Sequence, residues 1–288
     1  MGRNMITIAV FPNKNKKKAK VVLNRLVDFY QNKDVHLVLP KDEAEFFGYP
    51  AFGVENIFDA AINLGLTIGG DGTLLGVCRR LALRNIPVCG INIGRFGFLA
   101  DIELSELEDK LEKVLQGEYR IEERLMLAGI IKRGNQMSFV GNAINDIVVT
   151  KGGVARMLNL GLSIDNCLIA NYQADGLIVS TATGSTGYSL SAGGPIINPK
   201  VKLLLVTPIC PHTLNARPMI ISEDEEVRIN VAAAHRDILL TFDGQESCNL
   251  VPGDEVIVRK SSFMAKIIKF EDKNYYKTMR TKLWRGNV

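Results

Sequence analysis

The chain has 288 residues, 47% of them hydrophobic, and 35 basic against 31 acidic side chains leave a net charge of only +4. That length holds one large or two ordinary domains with packed cores, and so balanced a charge gives no bulk pull toward nucleic acid. The five cysteines are widely spaced without a CxxC pair or Cys/His cluster, no stretch approaches 18 uninterrupted apolar residues, and MGRNMITIAVF lacks a signal-peptide flank; reduced thiols, no membrane span and a cytoplasmic location are expected.

Residues 5–11 (MITIAVF) form a β-rich run, and 17–31 carry Val21, Val22, Leu26, Val27 and Tyr30 at near-helical spacing, so a strand leads into a helix. The basic run of Lys14, Lys16, Lys17, Lys18 and Lys20 between them reads as a solvated loop and helix start, with a lean toward a phosphate-bearing ligand as the alternative. Apolar runs at 35–39, 64–68 and 88–93 alternate with helical stretches near 42–47, 73–84 and 104–115, the pattern of a doubly wound parallel sheet. Ligands of such sheets bind at the carboxyl ends of strands, which makes the turn after 64–68 the first candidate site.

From about residue 120 the pattern changes to short β-type runs, among them LNLGLSIDN, GLIVST, EVRINVA and ILLTFDGQ. Between them lie Arg133-Gly134-Asn135, Asp165-Asn166, Asp243-Gly244 and Pro252-Gly253-Asp254, residues that tolerate tight-turn dihedrals. A second, β-rich and sandwich-like domain is expected. The last stretch, 275–284, holds two Tyr, a Met, a Leu and the only Trp, more apolar bulk than a free tail carries. The expected division is 1–118 for the α/β domain, 119–262 for the β-rich domain and 263–288 for a segment returning to the first.

Gly69-Gly70-Asp71-Gly72-Thr73 stands where a strand ends and a helix begins. Glycines let the backbone approach a ligand, amides at such a turn cradle anions, and the helix dipole adds partial positive charge. Asp71 is awkward in a phosphate cradle unless it binds a metal that bridges to the phosphates or takes a proton from an attacking hydroxyl; as the bland alternative it caps the helix. No Lys follows the glycines as in GxxxxGK[ST], and the spacing is not GxGxxG. A second polar cluster, 175–195 (DGLIVSTATGSTGYSLSAGGP), crowds Thr183, Ser185, Thr186, Ser189 and Ser191 among glycines, a surface suited to ribose and phosphate oxygens.

GGDGT resembles the motif shared by NAD kinases, diacylglycerol and sphingosine lipid kinases and, as GGDGS, phosphofructokinases. Residues 87–101 (PVCGINIGRFGFLAD), 175–195, 210–218 (CPHTLNARP) and Asp243-Gly244-Gln245 are similar, in order, to NAD kinase signatures. This resemblance covers most of the chain. It implies transfer of the terminal phosphoryl group of ATP to the adenosine-ribose 2′-hydroxyl of NAD, with a divalent cation, Mg²⁺, arriving with ATP, and a homodimer or homotetramer with no nucleic-acid or membrane partner. The alternatives are a lipid kinase of the same superfamily and a non-catalytic NAD-sensing module.

By the same resemblance Asp71 is the catalytic residue, and Gly69, Gly70, Gly72 and Thr73 form the phosphate loop. NAD contacts are implied for Asp71, Gly72, Asn145, Asp146, Thr183, Thr186, Gly187, Tyr188, Ser189, Leu190, Ser191 and Cys210, and, toward the nicotinamide half, for Arg156, Gln173 and Asp175. Read by themselves, Asn145-Asp146 is also a common turn, Tyr188 a stacking ring or a buried aromatic, and Gln245 either a pyrophosphate contact or the closure of a hairpin. His212 in CPHTL reads as structural. Three positions depart from the family pattern: Asp146 where Glu is usual, Ala182 where Pro is common, and Gly187 where Ala is common.

Overall fold

The computed structural model describes residues 5–94, 97–153, 156–213, 215–233, 237–271 and 274–283; Trp284, expected in the docking segment, lies outside them. The chain forms two compact units, Met1–Glu123 with Ala265–Val288, and Arg124–Met264.

The first unit begins β1 (Ile6–Pro12), α1 (Ala19–Tyr30), β2 (Val35–Pro40), α2 (Lys41–Phe46), β3 (Gly53–Val54), β4 (Leu64–Gly69), α3 (Asp71–Ala82), β5 (Val88–Asn92) and α4 (Leu107–Gln116). These strands pair in parallel in the order β3-β2-β1-β4-β5. Every residue of β4 is buried, which is why a central strand covered on both faces reads as a continuous apolar run. On α1, Val22, Leu23, Leu26 and Tyr30 face the core, whereas Val21, counted in the expected stripe, is exposed. Those side chains meet Ile8, Val10, Leu66, Ile68 and Ile91 in one cluster, each full burial contributing about 1.5–3 kcal/mol. The strand order reverses between β1 and β4, and such a switch point leaves a crevice at the strands' carboxyl ends.

The second unit holds most of β6 (Arg120–Arg133), β7 (Gln136–Ala143), β8 (Asp146–Lys151), β9 (Leu158–Ile164), β10 (Cys167–Ala174), β11 (Gly176–Thr181), α5 (Tyr188–Ser191), β12 (Leu204–Ile209), β13 (Met219–Ile221), β14 (Val227–Ala232), β15 (Ile238–Phe242), β16 (Glu246–Leu250) and most of β17 (Glu255–Lys269). One antiparallel sheet runs β13-β12-β11-β8-β15-β16; β10, β9, β14 and β17 make another antiparallel set. Alternate residues of both, such as Leu158, Leu160 and Leu162 from one and Ile147, Val149 and Leu177 from the other, share a single core, the period-two burial of a sandwich. The hairpin turns at Asp165-Asn166 and Asp243-Gly244 have positive φ at both residues, as tight two-residue turns require.

The carboxyl end of β17 rejoins the first unit, where Ile267 pairs in parallel with Val88 of β5, and α6 (Tyr275–Leu283) follows. No helix among the described residues is long and apolar enough to cross a membrane.

Candidate active site

In the first unit the glycine-rich turn is already helix: α3 starts at Asp71 rather than near residue 73, with Gly70 as its extended N-cap. The turn lies at the switch point. Asn13, just past β1, donates its backbone N–H to Ile68 O (2.9 Å) and its side-chain amide to Thr73 Oγ1 (2.8 Å), which aligns the carboxyl ends of β1 and β4. A Cβ on Gly69 would overlap the Thr73 side chain, while one on Gly70 would meet no described atom within 4 Å. The first glycine serves close packing, and the second leaves the amide face of the turn open.

The Asp71 carboxylate accepts the Phe98 N–H at Oδ2 (2.6 Å) and the Leu99 and Ala100 N–H groups at Oδ1 (3.2 and 3.1 Å). Three of its roughly four lone-pair positions are thereby fixed, and the carboxylate is aimed rather than free. A Cβ on Gly97 would fall on Asp71 Oδ1, so glycine there permits the approach. The carboxyl end of β17 anchors this loop: Lys269 Nζ donates to Leu99 O (2.8 Å) and Asp101 Oδ1 (2.9 Å), and Asp101 Oδ2 accepts the Phe270 N–H. Lys282 of α6 brings its ammonium to 3.8 Å from Asp71 Oδ2. Burial lowers the pKa of Lys282, and Asp71 opposes that shift.

In the second unit Asn145-Asp146 bends the chain from β7 into β8. The bend is held by Asp243, whose carboxylate accepts the N–H groups of Ile144, Asn145 (2.7 Å) and Asp146 (3.2 Å) while its own N–H donates to Asp146 O. Thr181 locks the same bend to the next segment: its hydroxyl donates to Ile144 O (2.6 Å) and accepts the Gly184 N–H (3.2 Å), and its N–H donates to Asn145 O. A Cβ on Gly184 would run into the Asn145 carbonyl. A 3-10 turn, Thr183–Thr186, then leads through Gly187 into α5.

Asp146 is 5% exposed, and its carboxyl is pushed up to about 7 by burial first and the Asp243 charge second, against the Tyr188 backbone N–H that favours the charged form. A Cβ on Gly187 would sit 3.0 Å from Gly184 O and 3.6 Å from Asp146 Oδ2. Two of the departures from the family pattern, the shorter carboxylate and the missing methyl, therefore meet at one spot.

Tyr188 is 45% exposed, so of the two sequence alternatives the buried aromatic is set aside. The hydroxyl-rich segment divides: Ser185 is buried and bonded to Ile197, and Ser189 is buried with its hydroxyl 2.8 Å from Thr207 Oγ1. The 3-10 turn and the short helix rotate both hydroxyls inward. Thr186, Gly187 and Leu190 are half-buried and Ser191 is exposed, whereas Thr183 is buried. Asp175 pairs with Lys151 (2.7 Å) and donates its N–H to Ile209 O. Gln173, Cys210 and Arg156 are exposed, and the Gln173 carbonyl accepts the His212 N–H. The Gln245 N–H closes the turn after β15 on Phe242 O. Asp243, Thr181, Lys269 and Lys282 carry much of this architecture without having been assigned a role in the sequence; for Asp243 the available signal was its place beside the Asn145 bend in the matched Asp-Gly-Gln.

A doubly wound sheet whose switch point presents an aspartate at a glycine-rich helix start suits phosphoryl transfer, and the relatives make the chain a phosphotransferase. The ATP-NAD kinase N-terminal domain matches residues 8–119 and the ATP-NAD kinase C-terminal domain residues 144–270. The NAD kinase of Moorella thermoacetica is 41% identical over 282 residues, spanning 98% of this chain and 90% of that protein. The chain belongs to the NAD kinase family. The crystal structure of yeast NADH kinase complexed with NADH superposes with a TM-score of 0.90 at 25% identity, over 99% of this chain and 89% of that one. The fold is also that of an NAD kinase from Archaeoglobus fulgidus in complex with ATP, with a TM-score of 0.74 at 24% identity, over 96% and 98% of the two chains.

Proposed function

We propose that the protein moves the terminal phosphoryl group of ATP onto the adenosine-ribose 2′-hydroxyl of NAD, releasing NADP and ADP. The observation that carries this reading is the Asp71 carboxylate, fixed by three amides at the open amino end of α3. Its remaining acceptor position orients the 2′-hydroxyl and takes its proton as the oxygen bonds to the γ-phosphorus and the bond to the β–γ bridging oxygen breaks. The amino-terminal turn of α3 and its helix dipole stabilise the charge on the transferring group. No cluster of three or more His, Cys, Asp or Glu is placed to hold a metal among the described residues, which fits a Mg²⁺ that would arrive held by the phosphates of ATP rather than by a protein cage. That ion supplies charge neutralisation on the phosphates. NADP formation from NAD, ATP and Mg²⁺, read through an NADP-specific dehydrogenase, tests the reaction; an NAD-binding protein that forms none would be a sensing module.

For the acceptor, Asn145 offers donor and acceptor groups to the adenine edge, Tyr188 a ring for stacking, and Asp146 a carboxylate for the ribose hydroxyls. Thr183, Thr186, Gly187, Leu190, Ser191, Cys210 and Ser189 shape the same surface, Gln245 orients the pyrophosphate, and Arg156, Gln173 and Asp175 extend the surface toward the nicotinamide half. Because the Asp146 carboxyl is held up to about 7, its burial is tolerated fully below the ordinary carboxylate pKa near 4 and destabilises the fold increasingly as pH rises to 7. Asp146→Asn is therefore expected to match the parent's stability near pH 4 and to exceed it at pH 8 by up to roughly 4 kcal/mol, with a raised KM for NAD. Thermal melts at both pH values, with NAD titrations, measure this; equal melting differences at both would refute it.

A homodimer or homotetramer in the cytoplasm completes the reading. It is supported by the edge strand β10, where Leu168 and Ile169 are 61% and 43% exposed, and by five free cysteines. Light scattering on the purified chain is expected to give twice or four times the 31.7 kDa chain mass.

A further inference from the structure

The glycine-rich turn has no cation of its own. In GxxxxGK[ST] loops a lysine inside the motif meets the terminal phosphates, but here the residues after Thr73 are Leu74 and Leu75, both buried, and the only charged group in the turn is the Asp71 carboxylate, which repels a polyphosphate. The first unit brings a cation to this place from its last helix. Lys282 Nζ lies 3.8 Å from Asp71 Oδ2, with its side chain 24% exposed, and 4.2 Å from the centre of the Phe98 ring.

We propose that Lys282 binds the terminal phosphates of the donor beside Asp71 and offsets the charge of the transferring phosphoryl group. This rests on the kinase reading above. At 3.8 Å the contact is an ion pair, longer than a hydrogen bond, so Asp71 leaves the ammonium protons free to turn to phosphate oxygens. The ring of Phe98 steadies the cation from one side by cation–π attraction, and the backbone N–H of the same residue makes the shortest bond to Asp71. Phe98 thus sets the positions of both charged groups. The helix adds a third constraint: Tyr275 stacks against Phe98 with ring centres 6.4 Å apart, and Lys282, seven residues on, lies two turns along the same face of α6. A partly buried ammonium with an incompletely compensating carboxylate gains from an anion, and the loop it overlooks is built to receive one.

Steady-state NADP formation by Lys282→Ala and Lys282→Arg, together with calorimetric binding of Mg²⁺-tripolyphosphate to each, tests the assignment. Lys282→Ala is expected to lower kcat/KM for ATP by about 10- to 100-fold, the range for losing one charge-assisted hydrogen bond, while KM for NAD stays within about 3-fold; Lys282→Arg, which keeps the charge, should recover most of the loss. Tripolyphosphate affinity should fall in parallel. A kcat/KM for ATP that survives in Lys282→Ala, or equal losses in Ala and Arg spread over both substrates, would overturn the proposal and leave Lys282 as an anchor for α6. If the parent makes no NADP but binds tripolyphosphate in a Lys282-dependent way, the kinase reading fails and the anion site stands.

Discussion

Asp71→Asn is expected to lower kcat by about 10² to 10⁴, the contribution typical of a positioned acid–base group, with little change in melting temperature or NAD affinity. The amide replaces one acceptor oxygen with a donor, yet three backbone N–H groups converge on the two oxygens of Asp71. Whichever oxygen becomes NH₂ faces at least one N–H and loses a bond there, so the side chain turns and the hydroxyl loses its fixed acceptor. Stability is cushioned because the side chain is partly exposed and water can replace the lost bond. Rate measurements at saturating NAD and ATP, paired with a thermal melt, separate the two effects. Turnover within a few-fold of the parent would remove Asp71 from the chemistry.

Lys269→Met carries the largest expected stability loss. Lys269 and Asp101 are both buried, at 7% and 6% exposure, and joined at 2.9 Å. Removing the ammonium leaves Asp101 charged in a dry site and the Leu99 carbonyl without its donor, a change that costs about 3–5 kcal/mol when one partner of a buried pair is deleted. Replacing the two together, Lys269→Met with Asp101→Leu, should cost less than Lys269→Met alone, because no uncompensated charge remains. Because the loop it anchors presents the amides that hold Asp71, kcat should fall even where the protein stays folded. Denaturant melts of the single and double variants decide it: a single-variant loss below about 1 kcal/mol would mean that the pair does not hold the loop.

Much of the fold was legible because local pattern and tertiary burial agree. The continuous apolar run of β4 is a strand buried on both faces, and the Asp165-Asn166 and Asp243-Gly244 turns adopt the positive φ values that those residues tolerate. β10 was not legible: Cys167–Ala174 is an edge strand exposed along most of its length, so it lacks the alternation that marks a half-buried strand. The length of β17 was also hidden. Polar residues in KSSFMAK interrupt its apolar pattern, yet the strand runs unbroken from Glu255 to Lys269 and supplies Ile267 to the parallel sheet.

The candidate site divides in the same way. Gly69 to Thr73 announced itself because a strand end, glycines and a helix start are adjacent in sequence. What fixes Asp71 was legible only through the resemblance of 87–101 to the family's stretch beside that loop, since its partners are 27 to 29 residues away and act through backbone N–H groups that carry no side-chain signature. Asp243 holds a bend 97 to 99 residues distant, and was legible only as a turn residue and as part of the Asp243-Gly244-Gln245 resemblance. The sequence of 183–191 does not separate inward from outward hydroxyls; helical rotation buries those of Ser185 and Ser189.

The most direct test of the central claim is ³¹P NMR of the product formed from NAD, ATP and Mg²⁺ by the purified protein. The account predicts one new phosphomonoester on the adenosine-ribose 2′-oxygen, formed in step with ADP. A phosphate on any other hydroxyl, or ADP released without a phosphorylated dinucleotide, would contradict it.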